Sequence, residues 1–245
     1  MNVIFTGMNG TVAPVVATTF EANDIRVIAY DRTVVSTTDE NQIKEFIKAS
    51  QPKALFHFAT GPLEWAELLA KITFELDVQM IYISTISVFD SKLSQAPYTP
   101  DMEPTAQDEY GKYKANSEKA VLAANPNASV YRLSWQITNS VSNNGMLRFI
   151  KEQMDRQGEM RASRSYYPSA AFLTDTADAV YETWTRLGNG IYHMNSNDNV
   201  SFYDLIVYLA KQYDWIVVND KAKASRDHRM IDERVKIKKL SEYLS

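Results

Sequence analysis

The alternation of apolar and amphipathic segments in the first half of the chain is its most constraining feature. Short runs with β-type composition occur at 3–6, 25–30 and 54–58, and segments with helical periodicity lie between them at 12–22 and 39–50. This order is typical of a parallel sheet with helices on both faces, which binds its ligands at the carboxyl ends of the strands. The sequence therefore predicts an α/β fold with a doubly wound parallel sheet.

The alternation continues to Leu133 and then changes. We predict helices over 63–76 and 109–124 and strands over 79–83 and 129–133. Beyond Trp135 come a polar stretch, Thr138–Asn144, and then helices over 146–156, 174–187 and 201–213, a loop over 162–171 and a strand over 190–194. No Pro/Gly/Ser linker divides the chain. We predict a Rossmann-type domain over residues 1–137 and a small C-terminal lobe over 138–245, interleaved with the first, that covers a substrate.

Composition narrows the classes of function. The hydrophobic fraction is 45% with only 8 Gly and 8 Pro, which predicts a packed, ordered domain. The net charge of -4 disfavours nucleic acids and anionic membranes as partners. With no cysteine and with only His57, His193 and His228 scattered along the chain, we predict no metal site. The first residues form a strand rather than a signal peptide, and no apolar run approaches the roughly 20 residues of a membrane span, so we expect a cytoplasmic protein.

The end of the first predicted strand carries a glycine motif. Residues 7–13, GMNGTVA, fit the pattern G-x-x-G-x-x-A. In such a turn the glycines allow the backbone close to a pyrophosphate, and the following helix directs its positive N-terminus at the phosphates. We predict a dinucleotide site whose cofactor-binding residues are Gly7, Asn9, Gly10, Thr11, Val12, Asp31, Arg32, Ala59 and Thr60.

Asp31 and Arg32 bear on the choice of dinucleotide. Asp31 ends the second predicted strand about 20 residues after Gly10, where a carboxylate accepts hydrogen bonds from the adenosine ribose. A carboxylate there repels the 2′-phosphate of NADP, whereas an arginine accommodates it. The pair therefore favours NAD slightly and leaves NADP open.

Tyr110 and Lys114 are four residues apart, on one face of a predicted helix. Thr85 follows the predicted strand 79–83, so the hydroxyl, the phenol and the amine are expected at the same sheet edge. A free tyrosine has a pKa of about 10, and a close ammonium stabilises its phenolate. Thr85, Tyr110 and Lys114 are therefore candidate catalytic residues.

Taken in order along the chain, these motifs resemble the extended short-chain dehydrogenase/reductase superfamily and, within it, the dTDP-4-dehydrorhamnose reductase branch. The resemblance is carried by residues 6–13 (TGMNGTVA), 82–90 (YISTISVFD), 110–114 (YGKYK) with Glu118, 131–135 (YRLSW), Pro168, the helix start at 174–179, 190–194 (GIYHM) and 224–226 (ASR). It spans nearly the whole chain.

The resemblance implies hydride transfer between a nicotinamide and a nucleotide-sugar carbonyl. Tyr110 would protonate the ketone oxygen, Thr85 would hydrogen-bond the same oxygen, and Lys114 would hold the nicotinamide ribose and lower the phenol pKa. Trp135 would pack against the sugar, with a place in the core as the alternative. Arg226 would bind a nucleotide phosphate, with a solvated surface cation as the alternative.

The chain departs from the branch in its substrate half. Residues 58–63 lead almost directly into a helix, where the relatives place a segment longer by about fifteen residues. Ser87 replaces a usual tyrosine, and Ile86 replaces an acidic residue. The sequence therefore predicts hydride chemistry with a sugar specificity that differs from that of the branch. Two alternatives stay open, an epimerase or dehydratase with tightly held NAD and a non-catalytic dinucleotide-binding regulatory subunit; a homodimer is also expected to be possible.

Overall fold

The structure of the protein, a computed structural model, describes residues 1–90, 92, 96–138, 140–141, 145–222 and 225–244. Of the residues singled out above, Ala224 and part of the polar stretch Thr138–Asn144 lie outside the described residues.

The strands and helices alternate through the first half as expected. The strands are β1 (Asn2–Thr6), β2 (Arg26–Ala29), β3 (Pro52–His57), β4 (Gln79–Thr85), β5 (Ser129–Leu133), β6 (Trp135–Ile137), β7 (Met160–Ala162), β8 (Tyr166–Pro168), β9 (Ala170–Phe172), β10 (Ile191–Met194), β11 (Val217–Asn219) and β12 (Arg226–His228). The helices are α1 (Val12–Ala22), α2 (Glu40–Ser50), α3 (Leu63–Glu75), α4 (Glu109–Ala124), α5 (Met146–Gln157), α6 (Leu173–Arg186), α7 (Phe202–Ala210) and α8 (Ser241–Leu244). No helix within the described ranges combines the length and the apolar character needed to span a bilayer.

A six-stranded sheet in the order β2-β1-β3-β4-β5-β10 forms the centre, and every neighbouring pair in it is parallel. Alternate residues of a strand face opposite sides, so Val3 and Phe5 enter one core and Ile4 enters the other. Helices α1 and α6 cover the first face, and α2, α3 and α4 cover the second. The predicted doubly wound α/β fold is confirmed.

The small lobe is built from short strands in three parallel pairs, β6 with β9, β7 with β11, and β8 with β12. Helices α5 and α7 pack on these pairs around a third core. The prediction of a loop over 162–171 is wrong, because this segment contains β8 and most of β9. Each of these strands has three residues and pairs with a strand far away in sequence, so no local periodicity announces it.

The two halves of the chain share the central sheet. Strand β10 lies beside β5, and α6 packs against α1, although both follow residue 138. The division at residues 137 and 138, with its two interleaved halves, stays a prediction.

Candidate active site

The turn after β1 packs closely on the exit of β3. Gly7 has a φ of +77°, and a Cβ there would lie 2.9 Å from the backbone nitrogen of Ala59. The Gly10 amide donates to the Gly7 carbonyl at 2.8 Å. The Ala59 amide donates to the Thr6 hydroxyl at 3.0 Å, so the segment after β3 is bonded to the end of β1 next to the turn. Only glycine combines this conformation with this approach at position 7.

Helix α1 begins directly after this turn. Its N-cap residue, Thr11, makes no side-chain capping bond, so the first amides of the helix have no such partner. Asn9 and Gly10 are exposed, and Val12 lines an adjoining cleft. Free amides at the positive end of a helix, next to an exposed turn, form a site for an anion.

Asp31 lies just beyond β2 and is exposed. Its Oδ1 accepts hydrogen bonds from the Thr33 amide at 2.8 Å and the Thr33 hydroxyl at 2.7 Å. These bonds hold the pKa of Asp31 below its usual range, so the group is ionised at neutral pH. The guanidinium of Arg32 lies 5.8 Å from the centre of the Trp65 ring.

The loop after β3 is tied to α4 on its other side. Ala59 is buried and Thr60 is exposed. The Gly61 amide donates to the Tyr113 hydroxyl at 3.2 Å. The structure thus brings Ala59 against the glycine turn and leaves Thr60 open to solvent.

Thr85 is the last residue of β4, and Tyr110 lies in the first turn of α4. The Asp108 carboxylate caps α4 by accepting from the Gly111 amide at 2.9 Å. A Cβ on Gly111 would overlap the Ser87 carbonyl oxygen and the side chain of Ala106. The helix can approach the exit of β4 this closely only because residue 111 is glycine.

Tyr110 and Thr85 line the same cleft. Burial raises the pKa of Tyr110, and the contact with Thr85 acts in the opposite direction. The pKa is raised on balance, and the role of Lys114 in lowering it stays a prediction. The phenol is protonated at neutral pH, which suits a proton donor.

Lys114 is buried one turn further along α4. Its ammonium donates to the Ile83 carbonyl at 2.8 Å and lies 4.7 Å from the centre of the Tyr82 ring. Burial lowers the pKa of Lys114 to about 8, and the Glu118 carboxylate acts in the opposite direction. The ammonium of Lys114 therefore lies in the interior between α4 and β4, the elements that carry Tyr110 and Thr85.

A buried ion pair joins α4 to the central sheet. The sequence analysis did not assign it. The guanidinium of Arg132 on β5 donates to Glu118 at 2.8 Å, and its other nitrogen lies 3.3 Å from Nε2 of His193 on β10. The Ser84 hydroxyl also donates to Glu118. Burial and the Arg132 charge lower the pKa of His193 to about 4, so this histidine is neutral. The pair fixes α4 relative to β4, β5 and β10.

One cleft of about 580 Å³ joins the separate candidate residues. Val12, Thr85, Tyr110, Trp135 and Arg226 all line it. It lies where the start of α1, the end of β4 and the small lobe meet. Its size suits a small-molecule ligand.

Trp135 and Arg226 form the side of this cleft that belongs to the small lobe. The Trp135 ring packs on Phe149 and Phe202 at centroid distances of 5.3 Å and 6.0 Å, so it contributes to the core as well as to the cleft. Arg226 is exposed, and its guanidinium lies 5.1 Å from the centre of the Tyr166 ring. Both positions are compatible with the roles that the resemblance implies.

Further residues line the cleft to which the sequence analysis gave no role, among them Ser134, Gln136 and His228. Burial lowers the pKa of His228 to about 4, so its ring is neutral. The available signal was position alone, since two of these residues flank Trp135 and the third follows Arg226 by two.

The parallel sheet and the glycine turn define a Rossmann-type fold of the short-chain dehydrogenase/reductase architecture. The family described as "RmlD substrate binding domain" matches residues 63–227, and the chain belongs to this family.

Individual relatives agree with this assignment. A dTDP-4-dehydrorhamnose reductase of Mycolicibacterium smegmatis is 31% identical over 151 residues, which cover 54% of this chain and 45% of that protein. The chain thus matches less than half the length of this relative. The methionine adenosyltransferase 2 subunit beta of Xenopus tropicalis is 25% identical over 242 residues, 86% of this chain and 71% of that one. The crystal structure of a dTDP-4-dehydrorhamnose reductase from Bacillus anthracis in complex with NADP superposes with a TM-score of 0.81 at 15% identity, over 99% of this chain and 96% of that one.

Proposed function

We propose that the protein is an NAD(P)-dependent reductase of a nucleotide-sugar carbonyl. The observation that carries the proposal is the single cleft in which the start of α1, the Thr85 and Tyr110 pair and Trp135 meet. A dinucleotide on α1 and a carbonyl compound on Trp135 would then face each other beside the phenol. The names of the relatives support the same reaction class.

The residues at the glycine turn fit a dinucleotide. Gly7 lets the turn pack directly on the Ala59 backbone, and the uncapped start of α1 offers free amides to a pyrophosphate. Asp31 keeps its Oδ2 without a partner among the described residues, and this oxygen can accept from a ribose hydroxyl. Gly7, Asn9, Gly10, Thr11 and Val12 would hold the phosphates, with Asp31, Arg32, Ala59 and Thr60 around the adenosine.

The chain's own groups supply the proton chemistry. A bound reduced nicotinamide supplies the hydride. Tyr110, kept protonated by its raised pKa, donates its phenolic proton to the carbonyl oxygen as that oxygen gains charge. Thr85 donates a hydrogen bond to the same oxygen and orients it. Lys114, fixed on Ile83, supplies positive charge behind the phenol and a donor for the cofactor ribose.

NAD is the slightly favoured cofactor within this proposal. An ionised Asp31 repels a 2′-phosphate, while Arg32, placed over Trp65, is close enough in sequence to receive one. Replacing Asp31 with Asn removes both the carboxylate that accepts from the ribose hydroxyl of NAD and the repulsion of the 2′-phosphate of NADP. We therefore expect NAD binding to weaken more than NADP binding. An equal loss for both would mean that Asp31 does not contact the ribose.

Calorimetry with NAD⁺, NADH, NADP⁺ and NADPH tests the first half of the proposal. We expect at least one of the four to bind. The absence of binding at millimolar concentration by all four would overturn the dinucleotide site. The second half requires turnover of a nucleotide-sugar ketone with consumption of the bound reduced cofactor, followed by absorbance of the nicotinamide.

The comparisons do not favour the two alternative functions. An epimerase or dehydratase would retain its NAD through the cycle, which release of the cofactor after turnover would distinguish. A non-catalytic subunit would not need Thr85 and Tyr110 at one cleft, and the fact that both line it supports the catalytic interpretation. A homodimer and a cytoplasmic location stay predictions.

A further inference from the structure

Two buried polar atoms beside Trp135 have no hydrogen-bond partner among the described residues. Ser134 and Gln136 are 5% and 8% exposed, and both line the cleft. Within the part of the chain that the structure describes, the Ser134 hydroxyl and the Gln136 side-chain oxygen accept or donate no hydrogen bond. Buried polar groups in folded proteins are nearly always paired, so each exception calls for an explanation.

The orientation of the Gln136 amide is fixed by its neighbour. Its Nε2 donates to the Ser134 carbonyl oxygen at 2.8 Å. A carbonyl oxygen only accepts, so rotating the amide by half a turn would bring two acceptors together. The oxygen Oε1 is therefore the atom left without a partner, and it is an acceptor only.

A third polar residue of the same cleft shows the contrast. The Ser169 hydroxyl donates to the Asn195 side chain at 3.0 Å, so its hydrogen bond is made inside the protein. The Ser134 hydroxyl and the Gln136 Oε1 atom make no such bond among the described residues. A group that is desolvated and unpartnered at the wall of a cleft is organised in advance for a ligand, because it gives up no water when the ligand binds.

The two free atoms define what a ligand must present. Gln136 Oε1 needs a donor, which excludes a phosphate oxygen or a ketone oxygen and selects a hydroxyl or an N–H group. The Ser134 hydroxyl can both donate and accept. Trp135 between them offers an aromatic face, and Arg226 in the same cleft offers a cation for phosphate.

We propose that Ser134 and Gln136 bind a ring hydroxyl of the sugar and thereby determine specificity for a hydroxylated sugar over a ligand without one. This inference rests on the proposed nucleotide-sugar function. A site built to bind a substrate hydroxyl rejects the analogue that lacks it, because the buried acceptor then stays unpaired. The pair thus acts on recognition of the sugar rather than on the nucleotide.

The test compares the dissociation constants of dTDP-glucose and dTDP, measured by calorimetry on the full chain. The ratio of the two isolates the contribution of the sugar. In Gln136→Met, which is close in size and lacks the acceptor, we expect the preference for dTDP-glucose to fall by about tenfold with dTDP affinity unchanged. Ser134→Ala should lower the same preference by a smaller factor.

Ser169→Ala is the matched control and should leave the ratio unchanged, since Asn195 Oδ1 still accepts from the Ala170 amide. Thermal unfolding separates recognition from a structural role. Removing the unpartnered hydroxyl in Ser134→Ala should not lower the melting temperature, whereas a structural role would lower it.

An unchanged ratio in both variants would overturn the inference and leave the proposed function intact. A melting temperature of Ser134→Ala well below that of the wild type would overturn it also. If the wild-type protein bound neither dTDP-glucose nor dTDP, the nucleotide-sugar function itself would fail, and the inference with it.

Discussion

At the scale of single residues, Tyr110 is the proton donor of the proposed reaction. Its raised pKa keeps the phenol protonated, which is the state that a reduction consumes. We expect Tyr110→Phe to lower kcat by about 10²- to 10⁴-fold, the usual contribution of a general acid, and to leave the dissociation constant of the dinucleotide within a few-fold. Steady-state kinetics and calorimetry measure the two quantities. Tyr208→Phe, on α7 and away from the cleft, is the control, and wild-type turnover of Tyr110→Phe would show that another group donates the proton.

Lys114 makes the free energy of unfolding depend on pH, and the sign of this dependence follows from its pKa. Burial lowers its pKa from 10.5 to about 8 in the folded protein. Between these values the unfolded chain binds more protons, so the free energy of unfolding rises with pH through this group. We expect the stability of Lys114→Met relative to the wild type to fall by about 2 kcal/mol between pH 7 and pH 10. Urea unfolding of both proteins at the two pH values measures it, and a constant difference would mean that Lys114 is not held in the charged, desolvated state.

At the scale of elements, the approach of α4 to the end of β4 places Tyr110 beside Thr85. A Cβ on Gly111 would overlap the Ser87 carbonyl oxygen, so Gly111→Ala must move the start of α4. A displacement of about 1 Å in a catalytic group lowers turnover by about 100-fold, and we expect a loss of this size in kcat together with a lower melting temperature. Dinucleotide binding should persist. Gly188→Ala is the control because a Cβ there meets no atom within 4 Å, and normal turnover of Gly111→Ala would contradict the packing argument.

The elements differ in how far the sequence could predict them. The main sheet and its helices have a strong local period, so their positions were predicted to within a few residues. The strands of the small lobe have three residues each and pair with distant partners, as β8 does with β12. Their formation depends on packing across the lobe rather than on a local pattern. Gly111 belongs to the motif at residues 110–114, but its close contact with the Ser87 carbonyl oxygen also depends on tertiary packing and could not be predicted from the sequence.

At the scale of the whole molecule, the candidate site is assembled from the ends of elements that are far apart in sequence. Thr85 and Tyr110 could be predicted to lie at one edge of the sheet, because Thr85 ends a parallel strand and the helix that carries Tyr110 follows that strand along the chain. Ser134 and Gln136 could not, because their significance lies in which hydrogen bonds are missing. A missing partner is a property of the folded chain, and no spacing or composition encodes it.

The last expectation concerns the side of the cleft where the chain is short. Strand β3 ends at His57 and α3 begins at Leu63, with Gly61 held by Tyr113 and with Trp65 packed against Tyr30. None of residues 58–65, all of which the structure describes, lines the cleft.

Contacts remote from the reacting carbon supply binding energy that positions it. Because the short segment adds no contact to the cleft, we expect dTDP-4-dehydrorhamnose to be held poorly. We expect a kcat/KM for this compound below about 10⁴ M⁻¹s⁻¹ with either NADH or NADPH, the lower end of ordinary enzyme efficiency. The Mycolicibacterium smegmatis relative, assayed in parallel, is the positive control. A value at or above that limit would show that the short segment leaves recognition of this sugar intact, since the remaining walls, including Trp135 and Gln136, would then be sufficient to position it.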